Sequence, residues 1–203
     1  MINFVLEGHT YAMDVQTAIQ IFFPNRHYYN VDEMPKDGAA VKSILTDSRA
    51  EAYFYQDGNL KAQGFVNRKE NADEKEIKHI VKEAVFKALY SFTGYMPKWG
   101  MITGVRPAKT ASELSQSGYS DNKIIEYFEN RFYVSHQKAL LALNVSKAER
   151  EILLTNSPLD VSLYIAIPLC PTRCLYCSFT SSPIPKYSKK AAQYINKLAE
   201  ELT

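Results

Sequence analysis

All three cysteines of the chain, Cys170, Cys174 and Cys177, fall within eight consecutive residues. An odd number of thiols packed this closely cannot staple distant parts of a chain together, so no disulfide framework holds the fold. Order must come from buried apolar surface. The 203 residues are 46% hydrophobic and 23% charged, an ordinary globular composition with material for one or two cores and none of the polarity of a disordered chain. Clustered thiolates in a reducing compartment usually bind metal, which directs attention to the region near residue 170.

Charge and hydropathy exclude several classes. The net charge is +2, with 19 basic and 19 acidic residues in 1–156 and 5 and 3 in the remainder. No basic field large enough to hold a nucleic-acid backbone exists. The longest strongly apolar stretch, Val161 to Cys170, is half the roughly 20 residues a membrane helix needs, and the start of the chain has no basic-then-apolar leader. A cytoplasmic protein with neither nucleic-acid nor membrane partners is expected.

Periodicity predicts the elements. Ile2–Leu6 reads as a strand, and Tyr11, Val15, Ala18, Ile19 and Phe22 recur at helical spacing until Pro24. Residues 25–38 read as loop. Three β-prone runs follow near 40–46, 50–56 and 60–66, joined by turns at Asp47-Ser48 and Asp57-Gly58-Asn59 into an antiparallel meander. Ile77, Ile80, Val81, Ala84, Ala88 and Leu89 define one face of a helix over 73–92, which Gly94 closes. From Pro107 three or four short helices are expected, with Gly118 ending one, Ser120 or Asp121 opening the next, and Ser146 with Glu149 forming a capping box.

After Asn156-Ser157-Pro158 a new segment begins. Val161–Ile167 has the length and β-branched content of a fully buried strand, the cysteines follow it, and Ala191, Ile195, Leu198 and Leu202 mark one face of a final amphipathic helix. The fold class expected is therefore an α+β N-terminal domain over 1–156, β-α-β-β-β-α followed by a helical segment, and over 157–203 the first βα unit of a (β/α) barrel.

The spacing Cys170-x-x-x-Cys174-x-x-Cys177 suits a four-iron cluster. Such clusters take four cysteines as a rule, so three thiolates leave one iron for an exchangeable non-protein ligand. A structural zinc site using His136 or another fourth residue is the plainer alternative, although zinc motifs usually pair two short Cys-x-x-Cys units. His9, His27, His79 and His136 form no pair at metal-binding helical spacing. Arg106 could clamp a carboxylate or simply cap the helix that Pro107 starts.

The thiol spacing with an aromatic before the third cysteine resembles the signature of radical S-adenosylmethionine enzymes. Tyr164-Ile-Ala-Ile-Pro-Leu-Cys170 and its continuation to Phe179 resemble oxygen-independent coproporphyrinogen III oxidases, in particular the dehydrogenase branch with a long N-terminal extension. Trp99-Gly-Met-Ile-Thr-Gly-Val-Arg-Pro-Ala-Lys109 resembles a segment of the same branch. The resemblance implies a [4Fe-4S] cluster on Cys170, Cys174 and Cys177, with S-adenosyl-L-methionine at the open iron, contacted by Tyr164 and, beside the adenine, Tyr176. It implies oxidative decarboxylation of propionates in heme biosynthesis: reductive cleavage of the sulfonium yields a 5′-deoxyadenosyl radical, which takes a hydrogen from the substrate. A tetrapyrrole substrate and an electron donor such as a flavodoxin or ferredoxin go with it.

Two departures stand out. Ala166 occupies the position of a histidine in the better-known oxidase pattern, and Leu169 that of a phenylalanine. Related roles such as heme handling, or a binding module attached to a barrel, stay open on these residues. A complete barrel takes about 250 residues, so the chain is expected to be an N-terminal fragment, inactive by itself.

Overall fold

The computed structural model describes residues 1–104, 106–157, 159–172, 174, 177 and 179–201. It divides into two compact units, Met1–Thr155 and Asn156–Thr203.

In the first unit the chain runs β1 (Ile2–Glu7), α1 (Ala12–Phe22), β2 (Tyr28–Asn30), β3 (Ala39–Leu45), β4 (Arg49–Gln56), β5 (Asn59–Asn67), α2 (Glu74–Thr93), α3 (Pro107–Gln116), α4 (Asp121–Phe132) and α5 (His136–Leu153). The five strands make one mixed sheet in the order β2-β1-β3-β4-β5. β1 pairs in parallel with both β2 and β3, and β3, β4 and β5 form the antiparallel meander that the two turns predict. The α+β class and the meander are as expected.

Alternation along the strands decides which face is covered. Phe4, Val41, Ala52, Phe54 and Ala62 are buried with Val15 and Ile19 of α1 and Ile80, Val81, Ala84, Val85, Ala88 and Leu89 of α2. α2 starts at Asp73, whose carboxylate accepts the Glu76 N–H at 2.7 Å, and ends at Gly94 in the left-handed region at φ 65°. Glu74 and Glu76 in its first turn complement the helix dipole. At Gly64 the backbone of β5 lies so close to α2 that a Cβ would stand 2.3 Å from the Ala84 carbonyl oxygen and 2.6 Å from the Ala88 nitrogen.

A second core gathers Ala111, Ile124, Phe128, Val134, Ala139, Ala142 and Leu143 from α3, α4, α5 and their links. Pro107 takes the first position of α3 as predicted, and Ser120 precedes α4. The loop before α3 is pressed against the end of α4. Met101 N–H donates to the Phe132 carbonyl at 2.8 Å, and a Cβ on Gly100 would fall 1.8 Å from that same oxygen.

Three expectations need correction. β2 lies inside 25–38, which reads as loop: three residues are too few for periodicity to register, and pairing with β1 creates the strand. The Ser146/Glu149 pattern opens no helix, because it sits inside α5 with Ser146 buried, and the helix starts after Ser135. The strong helix formers from Gln137 to Leu143 leave no break for a capping box to occupy.

The third correction concerns the second unit, which contains β6 (Leu169–Cys170), β7 (Ser182–Pro183) and α6 (Ile184–Glu201). Val161–Ile167 is neither strand nor buried: Val161 is 92% and Tyr164 80% exposed. A buried parallel strand needs pairing partners on its edges and cover on both faces, and among the described residues of this unit the strand pairing is confined to two residue pairs, Leu169 opposite Ser182 and Cys170 opposite Pro183. α6 is amphipathic as predicted, with a break at Tyr187 (φ −125°, ψ 15°), while Leu202 lies outside the described residues. Among the described residues no helix is long and apolar enough to cross a membrane.

Two expectations for stability follow. Gly64→Ala should destabilise by about 1–3 kcal/mol, since the new methyl meets backbone on both sides; a denaturation midpoint equal to wild type would contradict this packing.

The second concerns pH. Burial, the largest cause, holds His9 and His79 below the ordinary 6.5. The hydrogen bond from Arg131 holds Glu76 below 4.5. Protons therefore bind the unfolded chain first at all three groups, and each contribution is full above its ordinary value and lost as pH falls through the lower folded value. Thermal midpoints should decline in two stages, below about 6.5 and again below about 4.5. His79→Gln should shrink the first stage and Glu76→Gln the second; profiles parallel to wild type in both variants would refute the assignment.

Candidate functional site

The cysteine loop is held at its base and open in its middle. Cys170 ends the two-residue strand β6, beside Ser182 and Pro183 of β7, and Ser182 N–H donates to the Pro168 carbonyl at 2.9 Å. The parallel bridge thus brings together two points of the chain that are 13 residues apart, and α6 departs from the next residue. Inside the loop, Cys177 N–H donates to the Cys174 carbonyl at 3.0 Å, folding the two thiols into one tight turn. All three thiols are free, with Cys170 and Cys177 half-buried and Cys174 exposed.

Of the residues assigned to S-adenosylmethionine, Tyr164 is exposed in the irregular run before β6 and Tyr176 lies outside the described residues. The chemistry of the three thiols suits an iron–sulfur cluster, because soft thiolates are its customary ligands. Their arrangement in this structure does not match one: among the described residues no three His, Cys, Asp or Glu side chains are grouped closely enough to share an ion. Metal binding itself commonly supplies the free energy that gathers its ligands. The zinc alternative gains nothing from His136, which instead meets Glu129 Oε1 through Nδ1 at 2.9 Å.

Elsewhere the structure assembles groups that lie far apart in the sequence. His9 Nε2 stands 3.1 Å from Ser43 Oγ, the geometry of a nucleophile and its base. The surrounding bonds rule that role out. Tyr11 N–H points at His9 Nδ1 at 3.3 Å, making Nδ1 the acceptor and leaving Nε2 to donate toward Ser43, whose side chain is buried. A shallow cleft of about 310 Å³ lies over α2 and α4, where Arg131 pairs with Glu76 and His79 packs edge-on against Phe132. Its floor includes Glu83, which accepts the Tyr133 hydroxyl at 2.6 Å; burial, with this bond second, drives the phenol well above its ordinary pKa. These partners are 50 or more residues apart and leave no local pattern for sequence reading to find. Arg106 caps α3 with its main chain, its carbonyl accepting the N–H groups of Lys109 and Thr110.

An α+β unit followed by a segment with three clustered thiols is the kind of protein that fold and site define. Within that class the chain is similar to the oxygen-independent coproporphyrinogen-III oxidase-like protein HemZ of Bacillus subtilis (strain 168), with 28% identity over 130 residues. The match covers 63% of this chain and 26% of that protein, so the chain spans about a quarter of the length of the curated relative it matches. This likeness supports the family resemblance carried by the cysteine loop and its flanks. No protein-family profile matches the chain. No solved structure matches it either.

Exposure sets an order of thiol reactivity. In reduced, metal-free protein a maleimide should label Cys174 before Cys170 and Cys177, as read by peptide mass spectrometry. Equal rates at all three would show that the loop base gives no protection.

Proposed function

We propose that this chain is part of a radical S-adenosylmethionine oxidoreductase of the coproporphyrinogen-oxidase-like kind, acting on a tetrapyrrole. The observation that carries the reading is the Cys170-x-x-x-Cys174-x-x-Cys177 spacing in a chain similar to HemZ. In this reading Cys170, Cys174 and Cys177 hold a [4Fe-4S] cluster, and the fourth iron is open to S-adenosyl-L-methionine, which Tyr164 and Tyr176 contact. Residues 157–203 begin the catalytic barrel, and 1–156 form a domain that positions substrate or lends structural support. A flavodoxin or ferredoxin supplies electrons in the cytoplasm. The chain by itself is inactive: Cys174 and Tyr164 are exposed, and a radical must be sheltered from water to be used productively.

A second reading is favoured by one residue. Ala166, in place of the histidine of the oxidase pattern, removes a donor and acceptor near the loop and fits a protein that handles heme or a related macrocycle without decarboxylating it. Substrate turnover in the parent protein separates the two.

Anaerobic reconstitution of the chain with iron and sulfide should give about four irons per chain and the visible absorbance of a [4Fe-4S] cluster. Cys174→Ala should abolish assembly, because two thiolates cannot hold the cube. Stoichiometric zinc without iron-dependent absorbance, or a normal cluster spectrum in the variant, would defeat the assignment.

A further inference from the structure

The unit Asn156–Thr203 has few ties between distant parts of its chain, and one of them comes from a residue that the reading above leaves idle. Tyr194 of α6 donates its hydroxyl to the Ala166 carbonyl at 2.5 Å, across 28 residues of sequence. A second long tie among the described residues is the β6–β7 bridge at the loop base, with Ser182 N–H on the Pro168 carbonyl. These two anchors lie on the same stretch of chain, on either side of Ile167.

Their spacing is consistent with a run lying along the helix. Tyr194 is seven residues beyond the break at Tyr187, which is about 10 Å along that part of the helix at 1.5 Å per residue. Its side chain leans back toward the helix start, which shortens that interval. Ala166 is three residues before Leu169, about 10 Å if extended. The run therefore begins under the Tyr194 hydroxyl and ends at the β6–β7 bridge, held at both ends of 166–169. Exposure falls on approach to the two anchors: Val161, Leu163 and Tyr164 are 92%, 70% and 80% exposed, Ile165 and Ile167 beside Ala166 are 47% and 58%, and Leu169 is half-buried.

We propose that Tyr194 is a positioning residue for the cysteine loop: its hydroxyl, by holding the Ala166 carbonyl against α6, sets the direction from which the chain enters Cys170. The inference rests on the reading of that loop as the functional site, yet it concerns the protein before any cluster is bound. With the latch closed, Cys170 stands on a segment fastened at two points while Cys174 and Cys177 sit in the free part of the loop. One thiol is thus fixed in direction by the latch, and the turn that carries the other two is not tied to it.

The test uses the full chain, reduced and free of metal, as wild type, Tyr194→Phe and Gln193→Ala. Tyr194→Phe keeps the ring and removes one neutral hydrogen bond, whose usual net worth corresponds to about a fivefold change in an opening equilibrium. Amide exchange in 165–170 and alkylation of Cys170 should each speed up about fivefold in Tyr194→Phe. Cys174 alkylation, helix content and exchange in Met1–Thr155 should stay at wild-type values, and Gln193→Ala should match wild type throughout. Unchanged Cys170 alkylation in Tyr194→Phe would overturn the proposal. So would equal acceleration of all three thiols with loss of helix content, which would make Tyr194 a general prop of α6. Reconstitution of the wild type separates this from the functional reading: failure to take up iron and sulfide would defeat that reading alone, while a loaded wild type beside an unaltered Tyr194→Phe exchange pattern would defeat the latch alone.

Discussion

Burial of α2 on two sides at once organises the first unit. One side supplies Ile80, Val81, Ala84, Val85, Ala88 and Leu89 to the core under the sheet. The other meets the end of α4: Phe86 stacks on Tyr133 at 5.3 Å between centroids, His79 packs edge-on against Phe132, and Glu76 pairs with Arg131. A helix in this position cannot shift to relieve crowding on one side without opening the other. That is the reason Gly64 in β5 and Gly100 in the loop before α3 matter beyond their own segments, since each admits backbone where a methyl would collide. The polar contacts around Arg131 and Tyr133 add specificity of alignment to a contact whose driving force is apolar burial.

What could be read from the sequence was whatever depends on neighbours in the chain. The face of α2, its Asp73 start and its Gly94 stop are local signals, and so are the two turns of the meander and Pro107 at the head of α3. β2 was illegible because a three-residue strand exists only through its partner. Ser146 misled because a capping box is a statement about the backbone before it, and that backbone stays helical. The Val161–Ile167 run has the composition of a buried strand, but composition states a preference for cover and cannot provide it. Pairs such as His9 with Ser43, or Glu83 with Tyr133, are products of tertiary folding and have no signature in spacing.

The candidate site divides along the same line. Its thiol spacing is a local feature that the sequence displays directly, and the ligand set read from that spacing is part of the proposal made above. Its mechanical arrangement was not legible there. The short bridge at the loop base, the turn from Cys174 to Cys177 and the Tyr194 hydroxyl on Ala166 are long-range or geometric facts. Together they give a loop whose ends are fastened and whose thiols are left separate, so that a bound ion would have to supply the remaining organisation.

The closed base has a further consequence in an oxidising solution. Pinning the two ends of a short loop confines its thiols to a small volume and raises their effective concentration toward one another. Three is an odd number, so any disulfide formed within the loop strands one sulfur. Among these 203 residues that remaining thiol has no further cysteine to pair with, and a disulfide from it joins a second molecule. Exposure to air thus leads this loop toward covalent dimers in which no chain retains its full set of thiolates, a loss that follows from cysteine arithmetic alone.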